Sequence, residues 1–273
     1  MFGSDQAAAK EETVGVKRAG PWAEIYYEAV EDYFWVPKLI GRRPLEVSSS
    51  WGELSEALRQ REVPLNHILN MFFVLAPQAV LDAALSALVG APVSGFELAS
   101  KSRGLPELSR KAGVFTRPDF IFTNDVELLV VEMKLDTESG VDQFVKYAIL
   151  AERFAELHPG LKAARLVLLA KTRDFARLWG DRGVADEDAL RARALRGISG
   201  GGGIWKASGV QRYLQKASDA VRTRLCQRVK SMPLSVSTFT DLLDALTRQP
   251  GPDPTAAKLI DGLVKELKGR SLG

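Results

Sequence analysis

Three short and almost uninterrupted apolar runs limit the fold of this chain more than any other feature. They are FIF at 120–122, the LLVV inside ELLVVEMK at 127–134, and ARLVLLAK at 164–171. Each is shorter than a typical helix and bounded by turn residues or charge, so each reads as a largely buried strand. A helical pattern separates the second from the third, with Val141, Phe144, Val145, Ala148 and Ala151 on one face. VSGFEL at 93–98 adds an earlier strand and PLSVSTF at 233–239 a last one, followed by a short helical DLLDAL. Two helical stretches precede the strands, from about Leu65 to Leu75 and from Gln78 to Leu88, the second ended by Gly90. QPGPDP at 249–254 breaks the chain before a final helix from about Thr255 to Lys268. The order helix, three strands, helix, strand predicts an α/β fold with a mixed central sheet flanked by helices.

Composition narrows the chemistry. The 273 residues are 46% hydrophobic and 26% charged, enough for a real core and unlike a disordered or disulfide-stapled chain. Cys226 is the single cysteine, which excludes an intrachain disulfide and a cysteine-cluster zinc site. His67 and His158 are the only histidines, so a metal here would be held by oxygen. The N-terminal MFGSDQAAAKEETVGVKRAG lacks the apolar core of a signal peptide, and no apolar run approaches the roughly 18 residues of a membrane span. The expectation is a soluble cytoplasmic protein with no membrane partner.

The chain divides into a flexible tail (1–20), a helical N-terminal region (21–64), a core (65–171), a basic insertion (172–232), a last core strand and helix (233–248), and a C-terminal helix (249–273). The N-terminal region includes the aromatic-rich WAEIYYEAVEDYFWVPKLI, read as core-packing or partner-facing helix, and Ser48–Ser50 as a helix start for WGELSEALRQ. From Leu161 to Lys230 there are 16 Lys and Arg against 6 Asp and Glu, whereas the rest of the chain carries a net −7. That asymmetry suits a polyanionic partner, or else an arginine-rich solvated surface. Val210–Lys230 reads as one amphipathic helix, striped by Leu214, Ala217, Val221, Leu225 and Val229, with Arg212, Lys216, Arg222, Arg224 and Arg228 off the stripe. Gly200–Gly203 reads as a mobile loop; no Lys-Ser/Thr pair follows it, so it is not a P-loop.

The stretch RPDFIFTNDVELLVVEMKLDTESGVDQFVKY, residues 117–147, carries the most chemistry. A two-residue turn at Asn124-Asp125 would pair Thr123 with Val126 and Asp119 with Val130. The pleat then places Asp119, Glu132 and Lys134 on one face, with Glu132 diagonal to Asp119, and turns Phe120, Val131 and Met133 into the core. A one-residue slip would move Asp119 to the opposite face. Two carboxylates and a lysine set among buried strands suit a hard divalent cation, since charge there is costly unless paired or bound to metal.

Pro118-Asp119, twelve intervening residues, then Glu132-Met133-Lys134 resembles the signature of the PD-(D/E)XK nuclease superfamily. Gln143 and Tyr147, at i,i+4 on the following helix, resemble the QxxxY element of several of its branches, and the element order resembles its restriction-endonuclease-like core. The resemblance covers about residues 65–171, and 234–247 more loosely. It implies Mg²⁺-dependent hydrolysis of phosphodiester bonds, with Mn²⁺ as a substitute, by a DNA endonuclease of restriction or defence type. Asp119 and Glu132 would hold the metal with the Met133 backbone carbonyl, and Lys134 would stand beside the attacking water. Glu97 is the first candidate for a further acidic ligand; Glu62, in a polar loop ahead of Pro64, is the second. Gln143 and Tyr147 would brace the site or touch phosphate. Arg117, Lys146, Arg212, Arg222, Arg224 and Arg228 are the candidate nucleic-acid contacts, DNA being expected over RNA. A homodimer is a candidate assembly, with the aromatic N-terminal region as its surface. The alternatives are a nucleic-acid-binding protein on the same fold without cleavage, an exonuclease, or an RNA nuclease.

Overall fold

A computed structural model describes residue 22 and residues 62–99, 118–124, 126–135, 138–179, 184–200, 205, 209–249 and 253–273. The tail, nearly all of the region before Glu62 and Gly201–Gly203 lie outside the described residues.

Helix α1 (Glu62–Leu75) buries Leu65, Ile68, Leu69, Phe72 and Phe73, the i, i+3, i+4, i+7, i+8 stripe of a core-facing helix. It starts three residues earlier than the apolar pattern does, because Pro64 is compatible with a first turn whose N–H groups have no helical acceptor. Helix α2 (Gln78–Val89) stops at Gly90, whose φ of 76° lets its N–H reach Ser86 O at 2.9 Å.

Strands β1 (Glu97–Leu98), β2 (Phe120–Thr123), β3 (Glu127–Lys134), β4 (Ala163–Ala170) and β5 (Leu234–Thr238) form one sheet in chain order. β1, β2 and β3 are antiparallel, and β3, β4 and β5 parallel. A parallel neighbour requires a crossover. Helix α3 (Val141–Leu157) makes the crossover from β3 to β4. From β4 to β5 the crossover is the basic insertion, holding α4 (Phe175–Leu178), α5 (Glu187–Ser199), α6 (Gly209–Lys216) and α7 (Asp219–Ser231). Helices α8 (Phe239–Thr247) and α9 (Pro254–Gly269) follow β5.

The sheet separates two cores, so the α/β architecture with a mixed sheet flanked by helices is as expected. On one face, Phe120, Phe122, Leu129, Val131 and Met133 pack against α1, α2, α8 and α9. On the other, Leu128, Val130, Leu166 and Leu168 pack against α3, α5, α6 and α7. Phe73 stands edge-on to Phe120 and Phe122, with both ring centroids at 5.2 Å, and so fixes α1 to β2. Trp22 lies over Gly262 of α9 and donates its indole N–H to Leu259 O at 3.0 Å; a side chain at Gly262 would collide with the ring.

Two local expectations are corrected. The β2–β3 hairpin pairs Thr123 with Leu128, not Val126, so four residues separate the paired positions. Asn124 closes this wider loop: its side-chain oxygen accepts the N–H groups of Val126 and Glu127, while its own N–H reaches Glu127 O. The register is displaced by two residues, an even number, so the side chains of β2 and β3 keep their expected faces. The single helix expected over Val210–Lys230 is two helices. Ser218 caps α7 by accepting the Val221 N–H, which offers the backbone an alternative to helical continuation.

Candidate active site

The antiparallel turn from β2 to β3 lays the beginning of β2 beside the end of β3. The ladder ends with Phe120 opposite Val131, so Asp119, the residue just before β2, lies near Glu132, whose carboxylate acts on it electrostatically. The Met133 N–H donates to Asp119 Oδ2 at 2.8 Å. In an extended strand the N–H and C=O of one residue leave on the same side, so the Met133 carbonyl also faces Asp119, beyond the end of β2. The second Asp119 oxygen accepts from the Asn66 side-chain amide on α1.

Glu132 and Lys134 point to the face covered by α3, and each is less than 10% exposed. Glu132 Oε1 accepts from Lys134 Nζ at 2.8 Å and from Gln143 Nε2 at 2.6 Å, while Oε2 accepts from the Tyr147 hydroxyl. Gln143 also donates to the Tyr147 hydroxyl oxygen at 3.0 Å. Three donors therefore hold one buried carboxylate, which fixes its orientation and offsets its desolvation. Gln143 and Tyr147 brace Glu132, the first of the two roles expected for them. Tyr147 is almost fully buried among core residues besides.

Asp119 is held differently. Burial, the nearby Glu132 carboxylate and Glu62 push its carboxyl up to about 7, against the opposing effect of the Met133 N–H and Lys134. Two carboxylates thus share the site with one neighbouring cation, Lys134, and deprotonating Asp119 adds a charge that Lys134 alone does not balance. Such a site fits a hard divalent cation, which takes oxygen ligands and needs as few as one or two carboxylates. Asp119, Glu132 and the Met133 carbonyl are the groups placed to hold it. Among the described residues no group of three or more His, Cys, Asp or Glu is placed to hold a metal ion.

The ranking of the further acids is reversed. Glu97 pairs with Thr123, at the opposite end of β2 from Asp119, about 13 Å away at strand spacing. It lies on the correct face and at the wrong end. Glu62 is the first residue of α1 rather than part of a polar loop, and it acts electrostatically on Asp119. Asn66 escaped the sequence reading altogether. Its only signal is an i,i+4 spacing from Glu62 on a helix otherwise striped with apolar residues.

The arginines of α7 are paired with acids away from the site. Arg228 Nε pairs with Glu152 Oε1 at 2.7 Å, and Arg224 lies 3.7 Å from Glu152 and 3.4 Å from Glu156. Arg222 pairs with Asp219 at 3.6 Å and donates to Leu214 O. The Arg224 and Arg228 contacts dock α7 on α3 at Glu152, nine residues beyond Gln143, or about 13 Å along the helix. Arg212 is exposed on α6. Lys146 pairs with Asp142 at 2.9 Å, one turn away on α3. Arg117 lies outside the described residues. His67 is exposed on α1, and Cys226 is a half-buried free thiol on α7. Among the described residues no helix is long and apolar enough to cross a membrane.

No family model, no curated protein and no solved structure matches this chain.

Proposed function

We propose that the protein is a divalent-cation-dependent nuclease of the PD-(D/E)XK type, hydrolysing phosphodiester bonds in DNA as an endonuclease of restriction or defence type. One observation carries the reading: the Met133 N–H holds Asp119 at 2.8 Å, beside Glu132, which Lys134 meets at 2.8 Å. A Mg²⁺ or Mn²⁺ ion held by Asp119, Glu132 and the Met133 carbonyl would supply Lewis acidity toward a phosphate oxygen and lower the pKa of water.

The chain's own groups divide the remaining work. Gln143 and Tyr147 hold the Glu132 carboxylate in one orientation, which preorganises a ligand before substrate arrives. Asn66 and the Met133 N–H do the same for Asp119. Lys134 supplies a cationic donor that can orient an attacking water and offset charge gathering on the phosphate. The low exposure of Glu132 and Lys134 strengthens these electrostatic effects by limiting solvent screening.

Incubation with closed circular and linear DNA, with and without Mg²⁺, tests the proposal. Metal-dependent nicking or linearisation of the circle is the expected result. An intact circle with shortened linear DNA would make the protein an exonuclease. DNA that is retarded in a gel but never cut would make it a binding protein.

A further inference from the structure

We infer that the chain leaving β4, Lys171 to Arg177, is the track for the nucleic-acid backbone beside the site, in place of the arginine-rich helix α7. The inference rests on the proposed phosphodiester chemistry at Asp119 and Glu132.

Topology supplies the placement. Because β3, β4 and β5 are parallel, their C-terminal ends share one edge of the sheet, and the candidate active site occupies the β3 part of it. Lys134 is paired in register with Ala170, the last residue of β4. Lys171 therefore begins one residue beyond the level of Lys134, on a neighbouring strand about 4.8 Å away. The loops at the C-terminal edge of an open α/β sheet are where such folds receive ligands.

The segment is anchored at both ends. Arg173 Nη2 pairs with Asp241 Oδ1 on α8 at 2.7 Å. Farther along, the Ser139 N–H donates to Leu178 O at 2.7 Å, and Ser139 bridges Trp179 just before α3, the helix that supplies Gln143 and Tyr147. Asp174 caps α4 by accepting the N–H groups of Ala176 and Arg177. The segment thus spans from the start of α8 to the start of α3 around the site's edge of the sheet. Lys171, Arg173 and Arg177 are all exposed along it; Arg177 lies 3.2 Å from Asp174, and this pair and the Arg173–Asp241 pair are surface contacts with which a phosphate can compete.

Duplex DNA presents a phosphate charge every 3.4 Å of rise along each strand, so a strand with one phosphate at the carboxylates must carry others past this edge. The exposed cations of the Lys171–Arg177 segment are placed to meet them. The α7 arginines lie farther from this edge, since Arg224 and Arg228 dock α7 at Glu152, about 13 Å along α3 from Gln143.

The test is binding of a fluorescein-labelled 30-base-pair duplex in EDTA, which prevents turnover, across a range of KCl concentrations. The slope of log Kd against log salt is compared for wild type, Lys171→Ala/Arg177→Ala and Arg224→Ala/Arg228→Ala. Each lost phosphate contact lowers the slope by about 0.9, so the first variant should lose close to 2 and bind at least tenfold more weakly near 0.1 M salt. The second variant should keep the wild-type slope. Circular dichroism confirms that both are folded. An unchanged slope in Lys171→Ala/Arg177→Ala, or an equal loss in both variants, overturns the inference. Cleavage of DNA by wild type with Mg²⁺ is measured alongside. Persistent cleavage with an unchanged slope rejects only the track, whereas wild type that neither binds nor cuts rejects the nuclease reading beneath it.

Discussion

The end of β3 and the seam between α3 and α7 hold the same kinds of charged side chain and use them in opposite ways. In the seam, Arg224 and Arg228 lie against Glu152 and Glu156, so the charges are matched within the protein. At the end of β3, Asp119 lies beside Glu132 with Lys134 as the one neighbouring cation, and Asp119 is driven up to about 7. Matched charge holds a fold together; unmatched and partly buried charge is tolerated where a ligand completes it. Residue type does not separate the two uses. The balance of counter-charges within reach does.

The largest effect expected from this contrast is on turnover. Glu132→Gln or Lys134→Ala should lower metal-dependent cleavage by at least about 10²–10³-fold, the range for removing one preorganised electrostatic group. The fold should survive, as circular dichroism and DNA retention would show. Cleavage at the wild-type rate in either variant removes the proposed chemistry.

The next effect concerns stability against pH. The folded-state pKa of Asp119 lies above its unfolded value near 4, so between about pH 4 and about 7 the folded protein binds more protons than the unfolded chain. Stability contributed at this position is present below about pH 4 and is lost as pH rises through about 7. Asp119→Asn should flatten that decline and raise Tm at pH 7.5 relative to wild type while abolishing cleavage. Calorimetric scans from pH 5 to 8 measure it, and parallel Tm curves for the two proteins would contradict it.

In the seam the direction is reversed. Arg228→Ala leaves the partly buried Glu152 with a weakened partner and should cost about 1–2 kcal/mol, between the values of surface and buried pairs. The expected fall in Tm is a few degrees, with no change in the salt dependence of DNA binding. A shallower salt slope in this variant would return α7 to the substrate surface. The smallest effect belongs to Ser139→Ala. Its hydroxyl is buried and has no hydrogen-bond partner, so urea melts should place the variant within about 0.5 kcal/mol of wild type or above it. A loss above 1 kcal/mol would mean that the hydroxyl has a role these contacts do not show.

The strands were legible because FIF, LLVV and ARLVLLAK are too apolar for a surface and too short for a helix. The faces of Glu132 and Lys134 were legible because side-chain parity survives a two-residue error in register. What closed the hairpin, the Asn124 side chain spanning four residues, was not visible in the Asn124-Asp125 pair. Strand parity favours Glu97 over Glu62 because it specifies a face and says nothing about which end of a strand a neighbour reaches. Asn66 and Glu62 meet Asp119 only through the packing of α1 on β2, a contact spanning 53 residues for Asn66. The α7 arginines looked available because their acidic partners lie far back in the chain, 76 residues for Arg228 and Glu152.

Calorimetric titration of Mn²⁺ into wild type and into Glu132→Gln at pH 7.5 tests the cation site most directly. One Mn²⁺ bound per wild-type chain, with affinity at least tenfold weaker in Glu132→Gln, is the expected result. Equal binding by the two proteins, or none by wild type, would contradict a cation held between Asp119 and Glu132.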